Sequence, residues 1–99
     1  MSPIILRRVK GHSMLPTLPP ETLIWGFKWY NRLKVGDIVV FLHDGKEKIK
    51  RINEIIGDDL ELLGDNSNGS SDSRQFGNVP SSEVIAKVVW PRASKDRIE

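Results

Sequence analysis

The sequence predicts an all-β domain, and three observations carry that reading. Its apolar residues fall in short segments, clusters of Gly, Pro, Asn and Asp separate them, and helical periodicity is nearly absent. Six strands are expected, at 4–10 (IILRRVK), 22–27 (TLIWGF), 37–43 (DIVVFLH), 46–56 (KEKIKRINEII), 59–63 (DLELL) and 83–90 (EVIAKVVW). Between the first two, Pro16, Pro19 and Pro20 leave room for a single helical turn around Pro16 to Leu18, because proline neither donates a backbone hydrogen bond nor fits a helix interior. Asp44-Gly45 predicts a tight hairpin turn, both residues tolerating positive φ, and Gly57-Asp58-Asp59 predicts a second. From Gly64 to Pro80 (GDNSNGSSDSRQFGNVP) there is no periodicity, so a long structureless loop is expected, of a kind that is usually functional or disordered. The charged end, ASKDRIE, is expected to fray.

Ninety-nine residues make one domain, with neither an internal repeat nor a linker. The 15 basic and 13 acidic side chains give a net charge of +2, which demands no nucleic-acid partner. That charge is uneven. Residues 1–51 carry ten Lys and Arg against four Asp and Glu, and residues 52–99 five against nine, which suits either two halves that pair or a basic face toward an anionic surface. With no cysteine there is neither a disulfide framework nor a thiolate metal site, and two separated histidines, His12 and His43, argue against a histidine-built one. No cofactor is expected. The longest unbroken apolar run, Ile38 to Leu42, is far below the ~20 residues that span a bilayer, and Ile4-Ile5-Leu6 is too short for a secretory leader. A soluble, cytoplasmic protein is the expectation.

Three patches could carry chemistry. In Gly11-His12-Ser13-Met14-Leu15-Pro16-Thr17-Leu18, a serine follows an apolar strand and stands between glycine and proline, which suits a nucleophile on a rigid turn and equally suits an ordinary structural turn. In Lys46-Glu47-Lys48-Ile49-Lys50-Arg51-Ile52, a lysine flanked by isoleucines could lose its charge by burial and act as a base; the same residues also suit a solvated strand whose lysines discourage aggregation. Strand alternation puts Lys46, Lys48 and Lys50 on one face, so periodicity does not choose among them. The third patch, Gly64 to Pro80, is crowded with small hydrogen-bonding side chains of the type that orient a base, and Asp72 with Arg74 can pin it by an ion pair. A calcium loop would need Asp or Asn at positions 67 and 69, where Ser67 and Gly69 stand. Asn68-Gly69-Ser70 matches a glycosylation sequon without an export signal to support it.

In that order, SMLPTL, KIKRI and GDNSNGSSDSRQFGNVP, with Gly36-Asp37-Ile38-Val39-Val40-Phe41 between the first two, resemble the type I signal peptidase family of Ser/Lys endopeptidases over residues 9–90. The resemblance implies a compact catalytic core of short antiparallel strands, of the kind shared by signal peptidases and LexA-type repressors. It implies Ser13 as nucleophile and backbone oxyanion donor, Lys50 as general base, and Ser70 as the hydroxyl that orients the amine. Gly11, Met14, Pro16, Asp65, Asn66, Asp72 and Arg74 would support the site. Gly11 stands where some members carry a second, side-chain oxyanion donor. His12 is expected to take no part, since neighbours along a strand point to opposite faces.

Members of that family are normally anchored by an N-terminal transmembrane helix, whereas twelve residues precede Ser13 here. The chain looks most like the small anchorless relatives that clip the N-terminal extension of nickel-type superoxide dismutase, and the core of a membrane signal peptidase is the alternative. The implied partner is a precursor protein bound as an extended strand in a shallow apolar pocket that favours small side chains. Trp25, Phe27, Trp29 and Tyr30, with Lys28, Arg32 and Lys34 nearby, fall where the family touches membranes; core packing is the other reading of these aromatics. Self-cleaving LexA-type repressors share the fold and the chemistry, but no Ala-Gly precedes Ser13 to serve as their internal substrate. A non-catalytic binding module would require loss of Ser13 or Lys50, and both are present.

Overall fold

The computed structural model describes residues 2–66 and 72–91. Within them the chain forms β1 (Ile4–Arg8), β2 (Leu23–Phe27), β3 (Ile38–His43), β4 (Lys46–Ile56), β5 (Asp59–Leu63), the short helix α1 (Ser73–Phe76), β6 (Val79–Pro80), a 3-10 turn (Ser81–Glu83) and β7 (Val84–Trp90). The seven strands make one sheet in the order β1-β2-β7-β3-β4-β5-β6, and every neighbouring pair is antiparallel. The all-β expectation therefore holds.

The two hairpins are local chemistry. Asp44 (φ 52°) and Gly45 (φ 75°) both occupy the left-handed region between β3 and β4, as a two-residue turn matched to strand twist requires. Gly57 (φ 61°) does the same between β4 and β5.

β3 is the middle strand, and Ile38 to Phe41 are buried on both faces. Ile38 and Val40 join Val9, Met14, Leu18 and Ile24 in one apolar cluster, while Val39 and Phe41 join Ile52, Leu60, Leu62 and Val79 in another. The first cluster roots the turn after β1 through Met14 and Leu18; the second roots β5, β6 and, through Phe76, α1.

The segment from Gly64 to Pro80 departs from the structureless loop expected of it. Asp72 caps α1, its carboxylate accepting from the backbone N–H of Arg74, and Val79–Pro80 pairs with Asp59 and Leu60 of β5. A four-residue helix and a two-residue strand are too short to leave a periodic signal, which is why the sequence pattern does not reveal them. The first strand also stops at Arg8 rather than residue 10, since the chain turns at Gly11 (φ 77°). Around Pro16 to Leu18 there is one turn, closed by Leu18 N–H donating to the Met14 carbonyl at 2.8 Å. The expected frayed end, 93–99, lies outside the described residues.

Core packing of the aromatic group holds only in part. On β2 the core takes Ile24 and Gly26, so Trp25 faces out, 40% exposed, and Trp29, beyond the strand end, is 64% exposed. Phe27 and Tyr30 are half-buried.

Candidate active site

Ser13 stands in the turn that leaves β1, and that turn is held from both sides. Met14 and Leu18 sink into the core beneath it. From the segment after β5, Asn66 donates its backbone N–H to the Ser13 carbonyl (2.8 Å) and its side-chain amide to the His12 carbonyl (3.0 Å). His12 is thus a backbone anchor. It lies in a turn with its side chain exposed, so the strand alternation expected of it does not apply.

Lys50 reaches Ser13 from β4. Its Nζ lies 2.8 Å from Ser13 Oγ, across 37 positions of sequence. Of the three lysines that alternation leaves equivalent, the fold selects this one. Val39 is its cross-strand partner, Ile49 and Ile52 pack into the clusters on either side, and the residue is 5% exposed. Burial is the main reason its pKa falls below the ordinary lysine value; the charge of Lys48 pushes the same way, Asp72 opposes, and Arg74 adds a little to the lowering. A neutral amine 2.8 Å from the hydroxyl is within reach of its proton, which is the distance a general base needs.

Two buried carboxylates tie the surroundings together. Asp65, just past β5, accepts from Arg51 Nε (3.0 Å) and Nη2 (2.9 Å) and from Thr17 Oγ1 (2.5 Å), while Arg51 Nη1 donates to the Gly36 carbonyl (2.7 Å). The turn of Ser13, the strand of Lys50 and the turn before β3 thereby share one network. Asp72, fully buried, accepts from Gly64 N–H (2.8 Å) and from Arg74 Nε (2.9 Å) and Nη2 (2.5 Å), as the expected ion pair. The Ser73 hydroxyl oxygen accepts from the N–H of Leu62 at 2.8 Å. Ser70 lies outside the described residues.

Arg51 and Thr17 are functional-site residues that sequence reasoning missed. Nothing local marks them, because their shared partner Asp65 is 14 and 48 positions away. At Gly11 a Cβ would meet nothing within 4 Å, yet φ is +77°, a backbone conformation that favours glycine over a hydroxyl-bearing residue.

A cleft of about 420 Å³ opens beside the dyad. Its floor is apolar, with Val9, Met14 and Val40 buried, but its walls are not, so the expected apolar pocket is found only at the bottom. Arg7, Arg8 and Lys10 line it from β1 and the residues after it, and Glu47 and Lys48 from β4. β1 is an edge strand, and β4 is paired with β5 only from Arg51 onward, so residues 46–50 have β3 on one side alone.

Comparison with known families agrees with the sheet of antiparallel strands. The Peptidase S24-like family model matches residues 2–89. The chain belongs to the Peptidase S24-like family. No curated protein matches it. As a Peptidase S24-like chain it has a serine-peptidase fold in which Ser13 and Lys50 stand together, and among the described residues no helix is long and apolar enough to cross a membrane.

Proposed function

We propose that this Peptidase S24-like chain is a Ser/Lys endopeptidase that removes an N-terminal leader from a precursor protein, as the resemblance to the small anchorless signal peptidase relatives implies. The observation that carries the reading is the 2.8 Å contact between Lys50 Nζ and Ser13 Oγ. Neutral Lys50 takes the hydroxyl proton as Ser13 Oγ attacks the scissile carbonyl carbon. The carbonyl π pair moves to oxygen, and the oxyanion is held by the backbone N–H of Ser13. When the tetrahedral intermediate collapses, the carbon–nitrogen bond breaks and the Lys50 ammonium returns its proton to the leaving amine. Water, deprotonated by the same lysine, then hydrolyses the acyl ester and restores Ser13.

Two strand edges border the cleft, β1 and the first half of β4, and an extended peptide laid between them can bond to backbone on both sides. Exposed Trp25 and Trp29, on a chain whose first half is basic, support a further contact with an anionic membrane surface. Substituting both by alanine is expected to lower co-sedimentation with anionic vesicles, and unchanged sedimentation would remove this contact from the reading.

The test is mass spectrometry of precursors incubated with the protein, the nickel-type superoxide dismutase precursor first. Wild type is expected to release the leader, and Ser13→Ala and Lys50→Ala to release none while keeping the fold; full activity in either variant would refute the dyad. The family match also favours a second reading, self-cleavage as in LexA-type repressors. A rate that grows with enzyme concentration on a separate precursor supports cleavage in trans, and a rate independent of concentration supports the second reading.

A further inference from the structure

The walls of the cleft carry a charge pattern that the chemistry of the dyad does not use. Arg7, Arg8, Lys10 and Lys48 supply four cations against one lining carboxylate, Glu47. Arg8 lies 3.8 Å from Glu21 at the surface, and Lys48 sits over the Phe76 ring at 5.8 Å. Glu47 is held by Arg7, which donates to it from Nε at 2.6 Å and Nη2 at 3.1 Å. This pair joins the two strands that border the cleft, β1 and β4, so it spans the space where a peptide strand would lie. Both side chains are about two-fifths exposed (41% and 38%), so solvent screens the pair and a competing carboxylate can exchange with Glu47 at little cost.

The position of the pair relative to the dyad sets a distance. Glu47 and Lys50 are three residues apart on β4, which at about 3.3 Å per strand residue is about 10 Å. A peptide strand beside β4 with its scissile bond at Ser13 therefore brings the side chain about three residues from that bond level with Arg7.

We propose that the cleft selects peptides with an acidic side chain about three residues from the scissile bond, Arg7 holding that carboxylate in place of Glu47. Lys10 and Lys48 raise the local potential and Glu47 is the resident stand-in that the substrate displaces. The inference rests on the peptidase reading, since it names the substrate class of that same site.

Binding to Ser13→Ala protein tests it without requiring turnover. The probes are blocked, fluorescently labelled alanine-rich decapeptides carrying a single Glu, Gln or Lys, read by anisotropy. In such a peptide the register can slide, so charge preference is read whichever bond occupies the site. The Glu peptide is expected to bind about fivefold more tightly than the Gln peptide, and to lose that advantage at about 1 M salt, where screening acts within about 3 Å. Arg7→Gln added to Ser13→Ala should abolish the preference, and Glu47→Gln should enlarge it. Both side chains are partly exposed, and circular dichroism checks the fold, with Lys10→Gln as a further variant expected to weaken the preference. Equal binding of Glu and Gln, or tighter binding of Lys, would overturn the proposal. With wild type, product masses should place the cut about three residues from the Glu, and a cut elsewhere would overturn the position. Failure of the peptidase reading shows separately, as absence of Ser13-dependent cleavage of any precursor.

Discussion

In the unfolded chain Lys50 is an ordinary solvated ammonium; in the fold, burial and the nearby charge of Lys48 disfavour its proton. The unfolded state therefore binds more protons than the native state between the lowered native pKa and the ordinary value near 10.4. By linkage, stability contributed at this position is reduced at neutral pH and rises as pH climbs through that window. Lys50→Met removes the titrating group and keeps much of the volume. In urea unfolding, wild type is expected to gain stability relative to Lys50→Met between pH 7 and pH 10.5; a difference that stays constant, or moves the other way, would show that the native amine is not disfavoured. Which lysine does this was not legible from strand alternation, because Lys46, Lys48 and Lys50 share a face. The resemblance pointed to Lys50, and the contact with Ser13 agrees. Ser70, the hydroxyl assigned to orient the amine, rests on the resemblance alone.

Among elements, the positioning of the dyad depends on segments distant in sequence. Asp65 joins the turn of Ser13, through Thr17, to β4, through Arg51, and Arg51 in turn holds the carbonyl of Gly36 before β3. Arg51 and Asp65 are both nearly inaccessible, with side chains 9% and 3% exposed. Asp65→Ala strands a buried guanidinium, and a cost of about 3–5 kcal/mol is expected in chemical unfolding. Residual folded protein should also lose activity, since Thr17 and Arg51 are released together. A loss below about 1 kcal/mol, the worth of a surface pair, would contradict the buried network. Sequence patterns disclose hairpins such as Asp44-Gly45 because the turn chemistry sits in adjacent residues. They do not disclose Arg51–Asp65, whose geometry exists only once β4 and β5 have paired, nor α1 and β6, which are shorter than any period.

Across the whole molecule, β3 buried on both faces divides the apolar interior into two clusters, and Lys50 sits beside that division. Apart from β6, the strand positions are readable in the sequence because this small domain buries its strands in short apolar runs between turn residues. Their order in the sheet was not, since β7 inserts between β2 and β3 through pairings that no local pattern encodes. The same topology leaves β1 at an edge and the first half of β4 paired on one side alone, and the cleft lies beside both, next to Ser13 and Lys50. The basic character of the first half of the chain concentrates there, on Arg7, Arg8, Lys10 and Lys48.

The most direct test of this account is a titration of the Lys50 ε-amine by heteronuclear NMR in the folded protein, with Lys50→Met assigning the signal. The account requires a midpoint below the ~10.4 of a free lysine, with the Ser13 side-chain signals shifting in step. A midpoint at or above that value, with Ser13 unmoved, would contradict the general-base role and leave the 2.8 Å contact without a catalytic meaning.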